Sequence, residues 1–231
     1  MARIDKGALT KVEIITEATQ QFLEKGYSNT TVSAIAKGLE MSQGNLTFHF
    51  PTKEHLLSEL VDMLCDYQWK MIKDEANDGM SLIMAICLEL TAMTCACEDD
   101  EVIKDFFLSA YTSPMCLGII RRNDAKRARE VFGEYRPDWT DEQFDAAEVI
   151  VSGIEYATLM SAGEPVPLET RITTALRCIL TVFNVPEEIQ NAKLQKVFAM
   201  DYMNVGKRVL ANFKKHVAKT NDKAFYDLIK R

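Results

Sequence analysis

The chain of 231 residues has no apolar run long enough to span a bilayer; the longest, around Met80 to Met93, is interrupted by Glu89. Its first residues, MARIDKGALTKVEII, carry charges where a secretory signal needs an apolar core, so a cytoplasmic protein without a membrane segment is expected. No CxxC pair occurs among Cys65, Cys87, Cys95, Cys97, Cys116 and Cys178. Cys95 and Cys97 lie two residues apart and would point to different faces of a helix, which suits neither a redox pair nor a zinc clamp. Buried thiols in a reducing compartment are the expectation. A catalytic triad, a phosphate-cradling glycine loop and HExxH spacing are all missing. Glu89, His55 and Cys65 are catalytic residue types, but His55 and Cys65 sit ten residues apart in one predicted helix, too far for direct proton transfer. No enzyme, cofactor or metal site is expected. Positive charge is also scarce: 27 Lys and Arg face 34 Asp and Glu, a net charge of -7 that gives no global attraction to nucleic acid. Any phosphate contact must come from a local surface, doubled by dimer symmetry.

What the chain does have is helical periodicity. Hydrophobic residues are 47% and charged residues 26%, ordinary for a globular protein that can bury a sizeable core. Val12, Ile15, Ala18, Phe22 and Leu23 recur at helical spacing, and Gly26 supplies a stop. Thr31 can cap a second helix carrying Val32, Ile35, Ala36 and Leu39, and Ser42 a short third one reaching about His49. Pro51 breaks that helix, and a fourth runs from Thr52 towards Ala76, ending at Asn77-Asp78-Gly79. Further helices are expected over 81–97, through Ile103 to Tyr111, over 115–132, over 141–161 and between Glu169 and Phe183. Pro186 opens a last long helix, predicted to run to about Val217. The basic end from Lys207 reads as a solvated face. There is no repeat, no low-complexity segment and no competing strand alternation, so the fold class is all-α.

The second and third helices meet at a tight turn around Glu40-Met41, and such a unit lays its second helix in the major groove of DNA. Thr31 combines a hydroxyl with exposed N–H groups and suits a phosphate as well as a cap. Ser42 opens the reading helix, and the amides of Gln43 and Asn45 match adenine edges. Gly44 costs about 1 kcal/mol of helix propensity against alanine. Its use is either close approach to DNA or close packing on a neighbouring helix. Leu46 and Phe50 should pin the helix, while Phe48 is free to meet a thymine methyl or shield an interface.

These residues resemble the DNA-binding domain of TetR/AcrR-type transcriptional regulators. The resemblance covers residues 11 to 57: FLEKGY, Thr30-Thr31, Ile35-Ala36, Ser42, Gly44, Leu46, His49-Phe50, Lys53-Glu54 and Leu56-Leu57. It implies backbone contact by His49 and makes Lys53 the best cationic phosphate contact. Thr47 stands where the family usually has an aromatic residue, and is short enough to touch phosphate or a thymine methyl. The implied domains are a helix-turn-helix head over 1–53 and a helical ligand-binding and dimerisation body over 54–231.

In the body, the charge-poor helix from Val149 to Met160 is the expected homodimer face. Val149, Gly153, Tyr156, Ala157 and Met160 would meet Ile172, Leu176, Ile179 and Phe183 of the following helix, unless both only complete the monomer core. Met84 and Met93, with Trp69, Phe107 and Tyr111, are candidates for a malleable pocket around Glu89, suited to a small apolar or cationic molecule. Core filling is the alternative for the methionines, Met71 and Met80 among them, and Asp105 is a further polar candidate. The functional expectation is a repressor that binds a palindromic operator as a homodimer and is released by a small molecule. The alternatives are a thiol-based redox-sensing regulator, or a helical interaction dimer that does not bind DNA.

Overall fold

The computed structural model describes residues 5–77 and 81–229. Among them are eleven α-helices and one short 3-10 turn, with no strand. A head comprises α1 (Lys6–Lys25), α2 (Val32–Gly38) and α3 (Gln43–His49), and α4 (Lys53–Asn77) leads out of it. The body adds α5 (Leu82–Asp99), α6 (Glu101–Thr112), α7 (Pro114–Phe132), α8 (Asp141–Met160) and α9 (Leu168–Val182). Two helices close the chain, α10 (Glu187–Ala199) and α11 (Tyr202–Ile229). Of the expected stop after α4, Asn77 ends the helix, while Asp78, Gly79 and Met80 lie outside the described residues.

The helix starts are written in side chains that satisfy the free N–H groups of the first turn. Asp5, Thr31, Ser42, Ser81, Asp100 and Ser113 each accept from a backbone N–H two or three residues ahead. The last predicted helix is in fact two. Met200 is extended, with ψ of 159°, and Asp201 accepts from Asn204 at the start of α11. The apolar pattern of Val197, Phe198, Tyr202 and Met203 runs across the break and hides it, since periodicity does not register a single extended residue.

Two apolar cores organise the molecule. The first joins Ile14, Phe22, Ile35 and Leu46 of the head to Leu56, Leu57 and Leu60 of α4, then continues into the body through Phe106, Cys116 and Phe213. The second packs α5, α7, α8, α9 and α10 around Phe132 and Phe183, whose rings stack at 4.3 Å. The helix α11 lies along both α5 and α1. Its Gly206 permits the first contact, because a Cβ there would sit 3.0 Å from the Cβ of Cys95 and 3.1 Å from the carbonyl of Ala92. Buried Asn221 makes the second, donating to Thr19 Oγ1 at 3.0 Å.

Candidate nucleic-acid interface and body cavity

Leu46, fully buried, and Phe50 fix α3 to the head, and the opposite side of the helix is left open. Ser42, Gln43, Gly44 and Asn45 are all exposed. Phe48 is 82% exposed, an unfavourable position for an aromatic ring unless something covers it. Ser42 Oγ and Thr31 Oγ1 accept from Asn45 N at 3.2 Å and Ala34 N at 3.1 Å, so both hydroxyls act as caps and both residues stay at the surface. A Cβ on Gly44 would meet nothing within 4 Å. The neighbouring-helix explanation for this glycine is therefore removed; its bare surface faces outward. Thr47 turns its hydroxyl back onto the carbonyls of Gln43 and Gly44, at 3.1 and 3.2 Å. His49 is half-buried and packs against the edge of Phe48, with ring centroids 5.3 Å apart.

Lys53 has a role that the sequence reading missed. Its ammonium donates to the carbonyls of Tyr27 and Thr30, both at 2.8 Å, and lies 3.9 Å from the Tyr27 ring centroid. Burial lowers its pKa and nearby Asp105 opposes that shift. Two of its three donors thus tie the loop between α1 and α2 to the start of α4. Asp105, expected near the pocket, instead reaches this loop from α6: its carboxylate accepts from Ser28 N at 2.9 Å and from the Ser28 hydroxyl. Gly26, at φ 90°, makes room, since a Cβ there would come within 2.8 Å of Asp105 Oδ2. Glu54 on α4 accepts from Ser113 at the start of α7. Head and body are therefore joined by polar latches as well as by the first core.

In the body, a narrow space lies between α4, α5, α7, α8 and α9. Glu89, Met93 and Tyr111 line it. Phe107 lines an adjoining apolar space, together with Met71, and the two spaces share Leu64, Gln68, Glu89 and Met93. Two candidates belong elsewhere. Met84 is packed in the second core, and Trp69 is half-buried on α4 outside both linings.

Four lining residues were not anticipated: Asp124, Arg127, Glu148 and Glu155. Arg127 donates through both terminal nitrogens to Glu89 Oε1 at 3.1 Å and pairs with Asp124 at 3.0 Å. Burial alone would lower its pKa, but Glu89 and Asp124 raise it overall. Burial raises Glu89 despite Arg127. Burial, with Asp124 adding to it, pushes Glu148 up to about 9 and Glu155 up to about 8. Tyr111 donates to Glu155 at 2.9 Å, and burial raises its phenol well above the ordinary value. The available signal was spacing: Phe144, Glu148, Val151 and Glu155 recur at helical intervals, placing two carboxylates on the inward face of α8.

The expected dimer residues divide between surface and interior. Val149, Gly153 and Ala157 are exposed on α8, while Tyr156 and Met160 are half-buried and pack on the first core. Ile172, Leu176, Ile179 and Phe183 are at most 4% exposed and fill the second core. That corrects their assignment, since a side chain enclosed by its own chain has no surface to offer a partner. Five cysteines are buried and Cys178 is exposed. Burial raises all five enclosed thiols, with Cys87, Cys95 and Cys97 reaching about 12, which leaves them protonated and unreactive near neutrality. Among the described residues no helix is long and apolar enough to cross a membrane.

Residues 14–60 match the sequence model for bacterial regulatory proteins of the tetR family. Over 72 residues the chain is 40% identical to the HTH-type transcriptional regulator QacR of Staphylococcus aureus (strain Mu50 / ATCC 700699), covering 29% of this chain and 38% of that protein. Over 76 residues it is 37% identical to IcaR, the negative transcriptional regulator of the biofilm operon icaADBC in Staphylococcus aureus (strain Newman), covering 33% and 41%. The matched region thus spans less than half of either relative's length. Solved structures extend the likeness in fold. RolR without ligand superposes with a TM-score of 0.60 at 18% identity, over 79% of this chain and 95% of that one. SmeT, the repressor of a Stenotrophomonas maltophilia multidrug efflux pump, gives 0.51 at 18% identity, over 77% and 96%. A three-helix head whose third helix stands open coincides with the tetR-family match over residues 14–60, and the helical body behind it resembles RolR and SmeT in fold.

Proposed function

We propose that the chain is a transcriptional repressor that binds a palindromic operator as a homodimer and is released when a small molecule occupies the body cavity. The observation that carries this reading is the outward face of α3, where Gln43, Gly44, Asn45 and Phe48 are exposed with no contact in the chain to account for the bare glycine or the open ring. Gln43 and Asn45 read base edges, Phe48 meets a thymine methyl or sugar, and Thr31, Ser42, Thr47 and His49 lie against the backbone. Lys53 keeps one donor for a phosphate while its other two hold the loop.

Two copies pair through α8, whose exposed Val149, Ile150, Gly153 and Ala157 form one stripe. A Cβ on Gly153 would meet nothing within 4 Å, which leaves space for a second helix. The α4 helix carries the signal: Lys53 holds the reading head at one end, and Leu64 and Gln68 wall the cavity further along. A ligand that favours the arrangement with poor operator affinity shifts the population towards it. The support for a thiol sensor is weaker, because five thiols are enclosed and held protonated.

Selection of bound duplexes from a random DNA library at near-physiological salt tests the proposal. An enriched inverted repeat, lost in Gln43→Ala and Asn45→Ala variants of unchanged stability, is the expected result. A folded, dimeric protein that enriches nothing would rule out the ligand-free repressor.

A further inference from the structure

The body cavity carries more acid than its single guanidinium balances. Glu89 enters from α5, Asp124 and Arg127 from α7, and Glu148 and Glu155 from α8, with Tyr111 of α6 and Gln68 of α4 beside them. Arg127 is committed to Glu89 and Asp124, and Glu155 accepts from Tyr111. Two carboxylate oxygens are left over. Glu148 Oε2 and Glu89 Oε2 are buried and have no hydrogen-bond partner, although the two residues are only 2% and 5% exposed. An orphaned buried acceptor is costly, and costlier still when charged. Metal binding does not account for them: among the described residues no group of three or more His, Cys, Asp or Glu is placed to hold an ion. The adjoining space, lined by Met71, Phe107 and Phe213, is apolar and opens past Met93 from the same wall.

Resting on the reading of this cavity as the effector site, we propose that its ligand is an amphipathic organic cation. The cationic N–H groups sit against Glu148 and Glu89, and the apolar body runs past Met93 into the second space. An anion would meet the Glu89 and Asp124 carboxylates, two protonated carboxyls, and a guanidinium whose terminal nitrogens are engaged and whose Nε alone is unpartnered. A neutral hydroxyl could satisfy an orphaned oxygen but would leave the charge imbalance in place. Entry of an ammonium also has a proton balance. Near neutrality Glu148 and Glu155 hold protons, so R–NH3+ and a carboxyl give the ammonium–carboxylate pair and one released proton. Cation affinity therefore rises with pH towards about 9, the value to which burial pushes Glu148, while an alkylammonium, with a pKa of about 10.4, stays charged.

Titration calorimetry of the full chain with octylammonium, 1-octanol and octanoate, in two buffers of different ionisation enthalpy at neutral pH, tests the assignment. Octylammonium should bind at least about tenfold more tightly than octanol, a difference of about 1.4 kcal/mol, with release of up to about one proton. Glu148→Gln should cut that preference at least severalfold. Equal or tighter binding of octanol or octanoate, binding by none of the three, or a cation affinity untouched in E148Q would overturn it. If E148Q does not fold, the three-ligand comparison in the native chain decides alone. The operator selection separates this result from the repressor reading. Operator binding without cation binding removes the ligand class only. Proton-releasing cation binding without an operator supports the ligand class and removes the repressor.

Discussion

Gly44 is a poor residue for a helix but, in the proposed repressor, a useful one for close approach to DNA. With nothing near its missing side chain, Gly44→Ala should stabilise α3 by up to about 1 kcal/mol, because alanine loses less backbone freedom on folding. In the proposed complex the added methyl group stands where the groove approaches, so operator affinity should fall, by about tenfold. Thermal melting and fluorescence anisotropy on one preparation would show the two effects moving in opposite directions; a variant that melts higher and binds equally well would separate Gly44 from DNA. Glu148 makes a second case at this scale. Its folded pKa is about 9, raised first by burial, against about 4.3 for a free glutamate. Between those values the folded state holds a proton that the unfolded chain has released, so stability is greatest below the lower value and declines as pH rises towards the upper one. Urea midpoints should drop from pH 5 to pH 9 in the native chain and less steeply in E148Q, and identical profiles would contradict the assignment.

At the scale of helices, local signals were legible and long-range partnerships were not. Thr31 and Ser42 cap α2 and α3 where the sequence placed them, since an N-cap needs only its own side chain and the next turn. The break at Met200-Asp201 escaped because one extended residue interrupts the backbone without interrupting the apolar pattern. Lys53 was legible as a cation at the head of α4, but its partners Tyr27 and Thr30 come from the far side of the head. The acid-rich cavity was seen only through Glu89; Arg127, Glu148 and Glu155 meet it by the packing of separate helices. The Asp105 latch belongs with these long-range effects. Asp105→Ala should free Ser28 and raise amide exchange across the loop between α1 and α2 by about tenfold or more, with α3 little changed. Unaltered exchange at Ser28 would show that Lys53 and the shared core hold the loop unaided.

For the whole molecule, the net charge of -7 gives no global attraction to DNA, which puts the weight of the proposed function on assembly. In the proposed repressor a single head offers few cations, so specific binding would depend on two heads held at a fixed separation. Ile150, 59% exposed at the centre of the α8 stripe, is the natural place to break such a pair. Ile150→Asp should leave a folded monomer in sedimentation velocity and reduce operator binding by about a hundredfold or more, because the linked second contact is lost. A variant that remains dimeric would move the interface off α8. Salt should weaken the native complex in proportion to the phosphates it neutralises.

The uneven distribution of the cysteines has a practical consequence. Because Cys178 is exposed while the other five thiols are enclosed and protonated, a maleimide dye at neutral pH should decorate one position without any engineering of the chain. Cys178 lies on α9, which packs against α8, so in the proposed dimer a dye there would sense the approach of a second copy. Self-quenching on mixing, and its relief on dilution, would then report assembly in real time from the native sequence.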